Sequence, residues 1–286
     1  MNQNSNDVFY VYGFTQAGLA PRVAGAAVAQ AGVSSGLLSG GIDEPHPPFF
    51  QRKGSVAGVL SQVSRSEFCG ESGEKNLEDL AWLAARALRH EAVLEQVMRM
   101  GPVLPTRFGT LFSSPATLEG FLGEHEAAIA RFLERVSGQE EWAVKGFLDP
   151  GCAEAEWLAR RRSETAGPRD SSPGVAYLQE QGLQMQARQA LEDGLAEACV
   201  ELFNELYPLV SDIVPGRILG RLTPEPARET VLNWALLLPA AAVPDFSERV
   251  ERANRQQNPE GLAFEVSGPW PPYSFCPVLD LNLNPK

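Results

Sequence analysis

At 286 residues the chain is long for one core and predicts about two domains, while 44% apolar and 21% charged residues place it far from the composition of a disordered segment. Its formal charge of -12, from 36 acidic against 24 basic residues, gives a mean field that repels polyanions and excludes nucleic acid as the expected partner. No apolar run reaches the length of a membrane span, the best candidate at residues 234–243 being short and broken by Pro239.

In chain order, residues 9–14 form an aromatic and β-branched run closed by Gly13 and Thr15, which predicts a first strand. Residues 37–42 and 56–63 read as further extended segments. Between them, the proline-rich stretch 43–48 lacks the backbone donors a helix or central strand needs and is expected as an exposed loop. From Leu77 the spacing turns helical, with Leu80, Ala84, Ala87, Leu94 and Met98 on one stripe, and the helix ends at Gly101-Pro102. Ser114-Pro115 supplies an N-cap and a proline at the first helical position. The helix it opens runs to about Val136, with Leu118, Phe121, Leu122, Ile129, Phe132 and Val136 inward and Ser137-Gly138 as its stop.

Residues 141–149 alternate, with Trp142, Val144, Gly146 and Leu148 on one side, as a strand does, and the domain boundary is placed here: 1–138 and 139–286. A short helix around 153–163 precedes a loop-like tract at 165–174, and a long helix follows at 175–206. That helix is polar in its first half, through Gln179, Gln181, Gln184, Gln186 and Gln189, and apolar later, through Leu191, Leu195, Cys199, Leu202 and Leu206. Residues 230–238 read as a central strand, 246–258 as a charged surface helix and 262–267 as a last strand. The fold class is α+β in two domains, the C-terminal one a variant ferredoxin-like sandwich with long helices and a C-terminal tail.

Two stretches stand apart: Val-Leu-Pro-Thr-Arg-Phe-Gly-Thr at 103–110 and Gly-Pro-Trp-Pro-Pro-Tyr-Ser-Phe at 268–275. Each sets aromatic rings beside proline or glycine, which restricts the backbone and positions the rings at low entropic cost. Arg107 has the geometry to grip a carboxylate with two donors. Either it staples its strand to the preceding helix through an acidic residue such as Glu91, or it serves a partner. Trp270, Tyr273 and Phe275 likewise form either a tail clamp or a pre-organised contact surface together with Phe108.

Catalytic constellations are scarce. His90-Glu91 lacks a second histidine one turn on, position 94 being Leu94, so a zinc-protease helix fails and a structural role for the pair is expected. His125 is expected as a satisfied core histidine, and His46 as a solvated one. Cys69, Cys152, Cys199 and Cys276 are scattered and form no C-x-x-C pair, so no metal site is suggested. No phosphate-binding glycine pattern or G-x-S-x-G is present, so no cofactor is implied and the reading is not an enzyme. The residual enzymatic alternative places Glu91, Arg107 and His125 in a cleft between the domains. The N-terminus, Met-Asn-Gln-Asn-Ser-Asn-Asp, lacks the basic and apolar regions of a secretion signal.

The two boxes, an opening Tyr-Val-Tyr-Gly-Phe at 10–14, a partial helix match around 87–95, Glu-Trp-Ala-Val-Lys-Gly-Phe at 141–147 and Ser-Pro-Gly-Val-Ala-Tyr-Leu at 172–178 resemble the GvpF/GvpL family of gas vesicle proteins over nearly the whole chain. The resemblance implies two α+β domains and a minor component or assembly factor of gas vesicles, cytoplasmic before assembly. It also implies association with the hydrophobic shell protein GvpA and with other accessory Gvp proteins, with the F-like and L-like roles both open. The residues assigned to structure or partner binding on this reading are Arg107, Phe108, Trp270, Tyr273 and Phe275.

Overall fold

The computed structural model describes residues 7–20, 38–164, 173–217, 228–257 and 261–279. The chain divides into two compact units, Met1–Glu140 with Trp270–Lys286, and Glu141–Pro269. The chain thus leaves the first unit at Glu141 and returns to it at Trp270. The sequence reading keeps this tail with the second domain. It clusters instead with the first because Tyr273 is anchored there by side-chain hydrogen bonds described below.

The first unit is built on the sheet order β2–β3–β1–β4, from β1 (Asp7–Gln16), β2 (Phe49–Lys53), β3 (Val56–Ser64) and β4 (Val103–Pro105), with β5 (Leu111–Phe112) also on β1. β1 runs antiparallel to β3 on one side and to β4 and β5 on the other. A strand paired on both edges with both faces covered needs apolar residues throughout, and residues 8–15 are all buried. β2 is absent from the sequence reading, which leaves residues 49–55 unassigned between the loop at 43–48 and the extended segment at 56–63. Residues 43–48 are not an open loop: Asp43 and Pro48 are buried, and the backbone carbonyl of His46 accepts from Ser61 Oγ at 2.8 Å.

Two short helices, α1 (Arg65–Phe68) and α2 (Gly70–Glu78), lead to α3 (Leu80–Met100). Asp79 Oδ1 caps α3 by accepting from the amides of Ala81 and Trp82. The break at Asp79 resets the helix face, so the buried residues are His90, Val93, Leu94 and Val97. The expected stripe is corrected at its start, since Leu80 is 78% exposed. α4 (Pro115–Arg135) agrees with its expected cap and face: Ser114 and Thr117 form a capping box, and Leu118, Phe121, Leu122, Ile129, Phe132 and Leu133 are buried.

In the second unit β6 (Gln139–Leu148) is followed by α5 (Pro150–Glu164), α6 (Pro173–Leu206), β7 (Asp212–Pro215), β8 (Glu229–Pro239), α7 (Val243–Gln257) and β9 (Leu262–Trp270). The spatial order β7–β8–β6–β9 puts the unit's first strand between its third and fourth, the arrangement of a ferredoxin-like sandwich. Val144, Leu232, Leu236 and Phe264 from the sheet pack with Leu202, Leu206, Phe246 and Val250 from α6 and α7. The short β7 is an addition to the sequence reading. The loop-like tract expected from Thr165 lies outside the described residues as far as position 172.

Candidate functional site

The first box is an edge strand with an arch in it. β4 leaves the sheet after Pro105, the chain arches out over residues 107–109, and β5 rejoins β1. Both feet of the arch are fixed to β1: Thr106 N donates to Tyr12 O and Val11 N donates to Thr110 O, each at 2.9 Å, while Thr106 Oγ1 donates to Val11 O at 2.6 Å. Inside the arch, Thr110 N and Oγ1 both donate to Arg107 O, at 3.2 and 2.7 Å. Gly109 closes it at φ 82°, a conformation that disfavours any side chain. The arch turns Phe108 inward, its ring centroid 6.0 Å from those of both Tyr10 and His90. Arg107 points outward and is exposed.

The second box begins at Gly268, whose φ of 147° and close approach to Trp142 leave no room for a Cβ. Beyond Trp270, 45% exposed, Pro271 and Pro272 are buried and a 3-10 turn spans Tyr273–Phe275. Phe275 is buried beneath the Arg135 guanidinium, 6.0 Å from the ring centroid. The Cys276 thiol lies 3.7 Å from Pro105 O, so the tail runs beside the edge strand of the first box.

What joins the boxes is a chain of hydrogen bonds through α3. His90, 1% exposed, has Nδ1 2.8 Å from Tyr10 Oη and Nε2 3.1 Å from Tyr273 Oη. Tyr10 Oη also receives the amide of Gly109 at 3.3 Å, and Tyr273 Oη lies 2.8 Å from Glu91 Oε1. One end of this chain is a backbone N–H, which only donates, and the other is a carboxylate, which only accepts. Every proton is then placed. Gly109 N donates to Tyr10 Oη, Tyr10 Oη to His90 Nδ1, His90 Nε2 to Tyr273 Oη, and Tyr273 Oη to Glu91. The reverse orientation would have Tyr10 accept twice and leave its own buried proton without an acceptor.

The electrostatics agree with a neutral imidazole and intact phenols. Burial pushes the His90 pKa down to about 4, against a weaker opposing pull from the Thr106 backbone. Burial raises Tyr10 well above the usual phenol, and raises Tyr273 likewise, with the Glu91 carboxylate adding to the effect. Glu91 is itself raised by burial, while the Tyr273 hydrogen bond holds it down and Glu95 pushes it up.

A second oriented chain braces the same strand. Ile42 N donates to Tyr12 Oη at 2.6 Å, and Ser61 Oγ spends its proton on His46 O, so Tyr12 Oη donates to Ser61 Oγ at 2.9 Å. Burial raises the Tyr12 phenol to about 12.

Between the arch and the tail lies a groove of about 700 Å³. Its lining is about as polar as it is apolar: Phe108, Pro277 and Leu279 give apolar surface, and Thr106, Arg107 and Thr110 stand among the polar lining residues. Of the five residues singled out from sequence, Phe108, Tyr273 and Phe275 are brought to this region by packing and hydrogen bonds, and Arg107 stands on the groove. Arg107 does not pair with Glu91, which takes Tyr273 instead, and it has no ion-pair partner among the described residues. The expected core histidine, His125, is only half-buried against Phe121, and the buried one is His90. His46 is not simply solvated, since its Nδ1 pairs with Asp43 at 2.7 Å.

Glu91, Arg107 and His125 all belong to the first unit and do not bond to one another. Among the described residues no three His, Cys, Asp or Glu side chains are placed to hold a metal ion, and no helix is long and apolar enough to cross a membrane. Sequence reasoning missed Tyr10 as a partner of His90, and the only signal was the position of a polar pair, His90-Glu91, in an apolar-striped helix.

Comparison with known proteins gives a consistent picture. The family profile described as gas vesicle synthesis protein GvpL/GvpF matches residues 8–277. Gas vesicle protein L of Streptomyces sp. (strain CB03234) is 29% identical over 244 residues, 83% of this chain and 86% of that protein. Gas vesicle protein F of Dolichospermum flosaquae is 28% identical over 225 residues, 76% and 87% of the two chains. The crystal structure of GvpF from Anabaena sp. PCC7120 superposes with a TM-score of 0.65 at 20% identity, covering 95% of this chain and 97% of that one. That of GvpF from Microcystis aeruginosa gives 0.62 at 19%, covering 95% and 99%. At these identities the structural likeness speaks for the shared α+β fold.

Proposed function

The chain belongs to the GvpL/GvpF family of gas vesicle synthesis proteins, and from that premise we propose that it is a non-enzymatic accessory protein that binds the shell protein GvpA. Its role lies in gas vesicles, and on this reading it works with other accessory Gvp proteins to assist nucleation and assembly. A shell subunit must present an apolar face to gas, and that face aggregates in water before assembly. An acidic protein that holds such subunits apart, or seats them one by one, meets the need without making or breaking a bond.

The observation that supports this reading is the meeting of the two aromatic motifs on one side of the first unit. The oriented chain from Gly109 to Glu91 locks both backbones, so the contact surface loses little entropy on binding. Trp270 remains 45% exposed beside that locked frame and Arg107 stands free of it.

The test is co-purification of the full chain with GvpA, together with light scattering of GvpA in the presence and absence of the protein. Stable association and slower aggregation are expected. A purified protein that neither binds GvpA nor delays its aggregation overturns the proposal.

A further inference from the structure

We propose that the groove between residues 106–110 and 276–279 binds an extended segment of the shell protein in which a carboxylate stands beside aliphatic side chains, with Arg107 taking the carboxylate. This rests on the shell-binding reading above and gives it a site and a recognition chemistry.

The groove has the volume of a site that takes several side chains, about 700 Å³. Its apolar surface from Phe108, Pro277 and Leu279 suits aliphatic groups. Leu104 and Pro105 of β4, the strand that ends its sheet, line it, and a peptide that docks beside a sheet edge does so in extended form.

Charge decides the rest. Arg107 has no ion-pair partner among the described residues, in a molecule whose acidic side chains outnumber the basic ones by 36 to 24. Its base is rigid, because Thr110 donates twice to the Arg107 carbonyl and Gly109 N is held by Tyr10. A guanidinium on a fixed arch offers two parallel donors to a carboxylate and loses little freedom in doing so. The net charge of -12 repels an acidic ligand at long range. At physiological ionic strength that field is screened within about 8 Å, so a carboxylate already seated in the groove responds chiefly to Arg107.

The experiment uses the full-length protein and overlapping short peptides that tile the GvpA sequence, read by fluorescence anisotropy. Peptides that bind should share an Asp or Glu flanked by aliphatic residues. Replacing that acid with Gln in the peptide, or Arg107→Ala in the protein, should each weaken binding about tenfold or more, as for loss of one charge-assisted contact. Arg107→Glu should reject the native peptide and accept one carrying Lys at the acidic position. Val278→Asp, at a side chain 96% exposed and therefore tolerated by the fold, adds a negative charge to the groove and should also weaken the native peptide.

Binding that is unchanged in Arg107→Glu, or equal for the acid and its Gln replacement, overturns the proposal. If no peptide binds while intact GvpA still co-purifies, the groove is not the site and the shell-binding reading stands. If neither peptide nor intact GvpA binds, both fall.

Discussion

The two units solve the problem of a sheet core in opposite ways. The first buries polar groups in its centre: Thr15, Asp43, Ser61, His90, Thr106 and Thr110 are all buried there, in company with the phenols of Tyr10 and Tyr12. Glu141 is the one such residue in the second unit among those described. That unit packs an apolar core, and two of its polar ties lie at the margin. Asn254 bonds the backbone of Phe264, and Arg249 bridges Asp245 to the carbonyl of Glu205 near the end of α6. Apolar burial is strong and indifferent to direction, whereas an oriented chain of hydrogen bonds is satisfied in one arrangement only. The first unit gives up ease of packing and gains two motifs, distant in sequence, held in a single relative position.

The largest effect should therefore come from a cavity in the second unit. Phe246 is fully buried, between Trp142 at 6.2 Å and the apolar faces of the sheet and α6. Phe246→Ala should destabilise that unit by about 3 to 5 kcal/mol. Hydrogen exchange followed by mass spectrometry should show faster exchange throughout residues 142–268. Uniform loss over both units would mean that the division between them is energetically unimportant.

Next in size is a pH response confined to the first unit. His90 titrates near 4 when folded and near 6.5 when unfolded, so between those values the unfolded chain binds a proton that the folded one does not. Stability from this residue is fully present above about pH 6.5 and is lost as pH falls toward 4, by at most about 3 kcal/mol at 1.36 kcal/mol per pKa unit. Glu91 acts with the opposite sign. Its raised pKa means the folded form keeps a proton just above 4.5 that the unfolded form has lost, so its contribution falls as pH rises through that window. His90→Gln removes the first component and leaves the second. Urea midpoints of first-unit peptides, read by pulsed exchange at one labelling pH, should drop from pH 7 to 5 in the parent and stay flat or rise in the variant. An equal drop in both would remove His90 from the account.

The sequence revealed what depends on periodicity and hid what depends on distance. The run at 9–14 and the Ser114-Pro115 cap are local patterns, and the structure has β1 and α4 where they stand. β2 was hidden because Phe49-Phe50 follows directly on prolines that signal a loop, and β7 because four residues ending in proline carry no alternation. The misassigned Leu80 traces to Asp79, whose capping bonds restart the helix and rotate its buried face. Both motifs were visible from composition. Their union was not, because Tyr10 lies 80 residues from His90 and His90 lies 183 from Tyr273, and neither hydroxyl marks its partner.

That union predicts a selective, intermediate effect. Tyr273→Phe keeps the ring and its packing but deletes the link between His90 Nε2 and Glu91, leaving a buried donor without an acceptor at a cost of about 1 to 3 kcal/mol. Exchange should rise in residues 271–279 and in the 107–109 arch, with the second unit unaffected. Glu91→Gln is the internal control: its amide oxygen still accepts from Tyr273, so the chain keeps its direction and the loss should stay below about 1 kcal/mol. If Glu91→Gln is the more damaging of the two, the protons of this chain run in the reverse order.

The smallest effect should be found at the margin of the second unit. Asn254 on α7 donates from Nδ2 to Phe264 O and accepts at Oδ1 from Phe264 N, both at 2.7 Å, in the manner of a neighbouring strand. β9 is the end of its sheet, so these two bonds satisfy backbone groups on its edge. Water can replace them in part, because Asn254 is only half-buried. Asn254→Ala should therefore cost about 1 kcal/mol, and Asn254→Asp slightly more, since a carboxylate serves the Phe264 amide but repels its carbonyl. The exchange change should stay within residues 262–266 for both variants. A loss as large as that of Phe246→Ala would show that this unit, too, depends on directed bonds, and the contrast between the two cores would disappear.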